Sequence, residues 1–157
     1  MCQRRITNIR PASNDKGRYR DSQYVFFIQI GGNDIGFIPN KQIVTNIVSF
    51  AEYLIYGFGT RVVIIGQLLR RDPSANPPGY NESVTEVNDL LTQKTQTLSN
   101  IFYWRHRGFW LDMSHLSRDG VHLANPPLRS LKPGDPPSPM KKYWRSIRNA
   151  VIVHSPR

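Results

Sequence analysis

An α/β fold built on a parallel sheet is predicted by three observations. Apolar runs rich in β-branched and aromatic residues end in glycine, amphipathic helical periods follow them, and the alternation repeats along the chain. Residues 24–30, Tyr-Val-Phe-Phe-Ile-Gln-Ile, are nearly all apolar and predict a strand buried on both faces, ending at Gly31-Gly32. After Pro39, which suits the first turn of a helix, Ile43, Ile47, Phe50, Ala51, Leu54 and Ile55 recur at helical spacing until Gly57 and Gly59 stop the pattern. Residues 61–66, Arg-Val-Val-Ile-Ile-Gly, predict a second buried strand, followed by a proline and glycine loop over 72–79. Strand, helix and strand in this order imply a right-handed parallel crossover.

The alternation continues. A second helix begins at Asn81 or Ser83 and carries Val84, Val87, Leu90, Leu91 and Leu98, and residues 101–104 predict a third strand leading into Arg105, His106 and Arg107. Residues 124–139 hold too many prolines for regular structure and predict an exposed excursion. A last helix over about 140–153 places Tyr143, Trp144, Ile147, Ala150 and Val151 on one face. Residues 1–23 are basic and polar with almost no apolar pattern, so they predict a poorly ordered arm before a domain spanning 24–157.

At 157 residues the chain fits one domain with a real core. Its single cysteine, Cys2, excludes an internal disulfide and a cysteine-based zinc site. No apolar h-region follows the first residues, and the longest apolar stretch, 43–58, is interrupted by Thr45, Asn46, Ser49, Glu52 and Gly57. Neither a signal peptide nor a membrane span is expected, and an intracellular setting is favoured. The formal charge of +10 raises nucleic acid or another anionic partner, although the basic residues are scattered and no run has the length of a binding tail.

Two short motifs carry chemistry. In an open parallel sheet, functional groups gather in the loops beyond the carboxyl ends of the strands. Asn33, three residues after the first strand in Gly31-Gly32-Asn33-Asp34, can point its amide there and donate to a carbonyl oxygen that becomes negative during attack. Such a donor is worth about 2.7–4 kcal/mol in the transition state. The plainer alternative is a turn capped by Asn33 and Asp34. Asp119 and His122, three apart around Gly120, can fold a carboxylate onto an imidazole nitrogen, fixing its tautomer and stabilising its protonated form. The plainer alternative there is a turn opening with Asp beside a partly exposed histidine.

With both motifs in this order, the chain resembles the SGNH (GDSL-type) hydrolases, a family of esterases, lipases and acetylhydrolases on a three-layer α/β/α, flavodoxin-like fold. In that family a Gly-x-Asn-Asp block supplies an oxyanion asparagine, and an Asp-x-x-His block before the final helix supplies two members of a Ser-His-Asp triad. The resemblance covers about 24–153. It implies Asn33 as oxyanion donor, with Gly31 and Asp34 supporting the motif, Asp119 as orienting acid and His122 as general base. It also implies a small ester substrate and neither a metal nor an organic cofactor.

The family's first block, a Gly-Asp-Ser motif ending a first strand, has no match. A strand-helix-strand unit takes about 30 or more residues, whereas 23 precede Tyr24. Asp21-Ser22 mimics part of the block, but Ser22 would emerge at the wrong end of the strand that follows; Ser13 lies in polar sequence, and Cys2 is no better placed. The nucleophile is therefore unknown. The expectation is an SGNH-like domain with its first strand-helix unit missing, impaired or inactive as an esterase. The alternative from another class is a non-catalytic module whose basic surface binds nucleic acid or another anion.

Other residues have plainer roles. His106 and His115 suit hydrogen-bonded loop positions better than substrate contact, and Trp104, Phe109 and Trp110 suit core packing better than an acyl pocket. Ser114 and Ser117 suit turn capping.

Overall fold

The computed structural model describes residues 24–111, 113–126 and 134–155. The proposed arm at 1–23, with Ser13, Ser22 and Cys2, and the centre of the proline-rich stretch lie outside them. The described residues form a mixed α/β structure in the order β1 (Val25–Ile28), α1 (Asn40–Phe58), β2 (Val62–Gly66), α2 (Tyr80–Thr95), β3 (Ile101–Trp104) and α3 (Pro139–His154). The three strands form one parallel sheet in the order β1-β2-β3, with Val25 opposite Val62 and Val63 opposite Ile101.

Central β2 is buried at every position, which explains its unbroken Val-Val-Ile-Ile run. Alternation along the strands sends Ile28, Val63, Ile65 and Ile101 to one face, where they pack with Ile43, Ile47, Ala51 and Leu54 of α1 and Val84, Val87 and Leu91 of α2. Val62, Ile64 and Phe27 face the other way, against Ala150 and Val151 of α3. Helices therefore cover both faces, giving three layers. Each fully buried Ile, Leu or Val side chain is worth about 1.5–3 kcal/mol against exposure, so a charge at Ile64 or Val63 would remove the centre of the sheet.

The helix boundaries follow from local chemistry. Helix α1 runs through Gly57 and stops at Gly59, whose left-handed φ of 69° lets the chain turn back onto the carbonyl of Leu54. Helix α2 ends at Thr95, so Leu98, expected on it, lies in the following turn and still packs on the core. Ser138 caps α3 by accepting a bond from the Lys141 N–H, with Pro139 in the first turn.

Two further expectations require correction. Only Ile28 of β1 is buried and Phe26 remains 40% exposed, so this strand is not buried on both faces; among the described residues it is also paired along one edge only. Trp144, expected on the buried face of α3, is 63% exposed; that helix covers β1 and β2 with a narrow strip centred on Ala150. No helix among the described residues is long and apolar enough to cross a membrane.

Candidate functional site

The chain beyond β1 turns sharply at Gly31, whose φ is +97°. A Cβ there would sit 2.9 Å from Ile47 Cδ1 and 3.1 Å from Ile43 Cγ2, so only glycine lets this loop lie against α1. The Asp34 N–H donates to the Gly31 carbonyl at 3.1 Å, and the Asp34 carbonyl accepts from the N–H groups of Phe37 and Ile38. The turn expected of this motif is thus present, with the Asp34 backbone as its hinge. It presents Asn33 to a cleft.

That cleft, about 540 Å³, lies beyond the carboxyl ends of β1 and β2 and is lined by Gly31, Asn33, Asp34, Arg71, Tyr80 and Val121, among others. Asn33 is oriented within it. Arg71 Nη2 donates to Asn33 Oδ1 at 2.8 Å, which fixes the amide rotamer and leaves Nδ2 as the donor for a ligand. Arg71 is itself held: its backbone N–H and carbonyl bond the Asn81 side chain at 3.0 and 2.9 Å, and its guanidinium sits 4.9 Å from the centre of the Tyr80 ring. Tyr80 in turn donates its hydroxyl to the Gly32 carbonyl at 2.9 Å. Burial pushes the Tyr80 pKa up, partly offset by Arg71, so this hydroxyl stays a donor at neutral pH.

Asp119 and His122 meet as the motif suggested. His122 Nδ1 lies 2.7 Å from Asp119 Oδ2. The other carboxylate oxygen accepts from the Ser117 hydroxyl at 2.6 Å and from the N–H groups of Val121 and His122 at 2.9 and 3.0 Å. These bonds, the Ser117 hydroxyl foremost, hold the Asp119 carboxyl well below the usual carboxylate range. The charged acid makes Nδ1 the protonated nitrogen and leaves Nε2 free to accept a proton. Both side chains stand in solvent, His122 79% and Asp119 51% exposed.

A bridge between Leu116 and Leu123 closes this loop, and the Ser117 N–H donates to the His122 carbonyl at 2.7 Å. The loop is moored to the segment after β2 through Gly120, whose carbonyl accepts from the Asp72 N–H at 2.8 Å. A Cβ on Gly120 would lie 2.5 Å from Asp72 Cβ, and its φ of +69° is left-handed. Both ends of the proline-rich stretch are tied nearby: the Ala124 N–H bonds the His115 carbonyl and the Met140 N–H bonds that of Ala124.

The two motifs therefore converge on one end of the sheet. Asn33, Asp34 and Gly31 line the cleft together with Val121, while Asp119 and His122 stand beside it on the loop that carries Val121. Arg71 and Tyr80, which hold the asparagine, were not singled out from the sequence; Arg71 follows β2 in a polar loop, and no motif marks it.

A second polar cluster lies under α3. His106 is 1% exposed and neutral, its pKa pushed down to about 4 by burial. Its Nδ1 meets Ser146 Oγ at 2.9 Å and its Nε2 meets Gln29 Oε1 at 3.1 Å. Tyr143 also donates its hydroxyl to Gln29 Oε1, Trp104 Nε1 donates to Ser146 Oγ at 2.9 Å, and the His106 N–H donates to Gln67 Oε1 at 3.0 Å. This cluster ties all three strand ends to α3. His115 is buried against Phe109, itself in the core, and Trp110 packs beneath Arg70 at 4.2 Å. Ser117 bonds the Asp119 carboxylate rather than only capping a turn.

Among the described residues no group of three or more His, Cys, Asp or Glu converges as a metal site would require. No protein-family model and no curated protein matches the chain.

Proposed function

We propose that this chain carries the acid–base and oxyanion side of an SGNH-type ester hydrolase site, acting on small acyl or acetyl esters. The observation that carries it is the Asp119–His122 pair, with His122 Nε2 open to solvent beside a cleft where Arg71 holds the Asn33 amide. In this scheme the ester carbonyl enters the cleft and its oxygen faces Asn33 Nδ2. His122 Nε2 takes the proton of the attacking hydroxyl and returns it to the leaving alkoxide, and Asp119 stabilises the imidazolium between the two transfers.

Among the described residues no hydroxyl is bonded to His122 Nε2. The Ser117 hydroxyl is committed to Asp119 and the Tyr80 hydroxyl to Gly32. The nucleophile assigned to these residues is therefore water, and general-base assistance of about 10²–10⁴-fold is what an oriented histidine supplies. Turnover is expected to be weak. The test is hydrolysis of p-nitrophenyl acetate by the full chain, by His122→Ala and by Asn33→Ala. Weak hydrolysis lost in both variants supports the proposal, whereas activity that survives His122→Ala removes it.

A further inference from the structure

The net charge of +10 looks scattered in the sequence, but folding gathers part of it. Segment 101–111 and helix α3 contain no Asp or Glu, while they carry Arg105 and Arg107, and Lys141, Lys142, Arg145 and Arg148. Helix α3 lies over β1 and β2, so the α3-side face of β3 is left beside the helix as a groove of about 790 Å³. Trp104 lines it, Arg105 and Arg107 rim it from the strand end, Lys142 and Arg145 rim it from the helix, and Ile152 closes its far end. No carboxylate lines it.

We propose that this groove between β3 and α3 binds single-stranded nucleic acid. Cations on two opposing walls match a backbone that carries one charge per residue, and no acidic side chain in the lining competes with phosphate. Concavity argues against a membrane surface, which meets cations on a flat or protruding face. The indole at the centre of the charges argues for an unpaired base over an acidic peptide. Trp104 is fixed by its bond to Ser146 and by an edge contact with His154, whose ring stacks on Phe102. A base that stacks on it meets a platform already ordered. The groove is separate from the Asn33 cleft, shares no lining residue with it, and does not depend on the esterase assignment.

The test is fluorescence anisotropy of a labelled 12-nucleotide oligothymidylate with the full chain, across a salt series. Three to four phosphate contacts at about 0.7 ions each predict an affinity that falls roughly 20- to 50-fold between 50 and 200 mM salt. Replacing Arg105, Arg107, Lys142 and Arg145 with Gln should abolish binding and flatten the salt slope. The same change at Lys41, Arg61, Lys94 and Arg118, exposed elsewhere, removes equal charge and should leave affinity within about threefold. The milder variant Lys142→Glu, on the exposed helix surface, should weaken binding at least tenfold with unchanged circular dichroism. An abasic strand of equal length should bind at least fivefold more weakly, because stacking is worth about 1–3 kcal/mol per base. Equal losses in the two fourfold variants, equal binding of the abasic strand, or tighter binding to phosphatidylserine vesicles or polyglutamate would each overturn the proposal.

Discussion

Acid should unfold this protein partly through His106, and the size of the effect follows from its surroundings. The ring is sealed among Phe27, Phe109 and Tyr143, bonded to the neutral groups Ser146 and Gln29, with no carboxylate among its hydrogen-bond partners. Burial holds its pKa at about 4, against an ordinary value of 6.5. The unfolded chain therefore binds a proton below about pH 6.5 that the native state refuses until about pH 4. In that window stability falls as pH falls, by up to about 1.4 kcal/mol per pH unit. Integrated from pH 7.5 to 4.5 the loss is about 2.5 kcal/mol, a large share of the 5–15 kcal/mol typical of a domain. Urea unfolding followed by tryptophan fluorescence at several pH values would measure it in the wild type and in His106→Gln. At pH 7.5 the variant should be less stable by about 1–3 kcal/mol, through lost packing and hydrogen bonds. Towards pH 4.5 the two curves should converge, because the variant has no imidazole to protonate. Parallel curves, within about 0.5 kcal/mol over the whole range, would refute the reasoning.

Asp119→Asn should cut any His122-dependent ester hydrolysis at least tenfold, because an amide cannot hold the imidazolium. Asp119 has a lowered pKa, so its contribution to stability is present above its ordinary value of 3.8 and lost as pH falls below it; the variant should differ from wild type more at pH 6 than at pH 3 in chemical unfolding. Gly120→Ala should lower Tm by about 4–8 °C in calorimetry, since left-handed strain and the Asp72 contact together exceed about 2 kcal/mol. Phe26→Lys, on the strand paired on one side only among the described residues, should raise the concentration at which light scattering detects self-association.

The strands and helices were legible because each has a period that only one structure satisfies. The fully apolar 62–66 run cannot be amphipathic, and the spacing of Ile43, Ile47, Ala51 and Leu54 cannot be extended. Asn33, Asp119 and His122 were legible as motifs because Asn33 closely follows a strand end and Asp119 and His122 stand three residues apart. What the sequence concealed depends on long separations. The bond from Arg71 to Asn33 spans 38 residues, and that between His106 and Gln29 spans 77; neither leaves a local pattern. The exposure of Trp144 was hidden for a related reason. An amphipathic period shows which side of α3 is apolar, but the width actually covered is set by the two short strands beneath it.

The two bonded histidines show why geometry has to be weighed with environment. Taken by distance alone, Ser146 and His106 form a hydroxyl–imidazole pair of the kind that activates a nucleophile, at 2.9 Å. Yet the Ser146 hydroxyl donates to a ring whose conjugate acid forms only near pH 4, no carboxylate is bonded to the ring, and its oxygen already accepts the Trp104 indole N–H. Accepting a proton there would place an unpaired cation in the core and force the Ser146 hydroxyl, which donates to Nδ1 and already accepts from Trp104, to become an acceptor for the ring as well. His122 has the opposite setting: a charged partner fixed by three further donors, and a free nitrogen facing water. The first histidine is built to remain neutral and hold α3 to the strand ends. The second stands in solvent against a carboxylate that is already fixed, which is the geometry a general base requires.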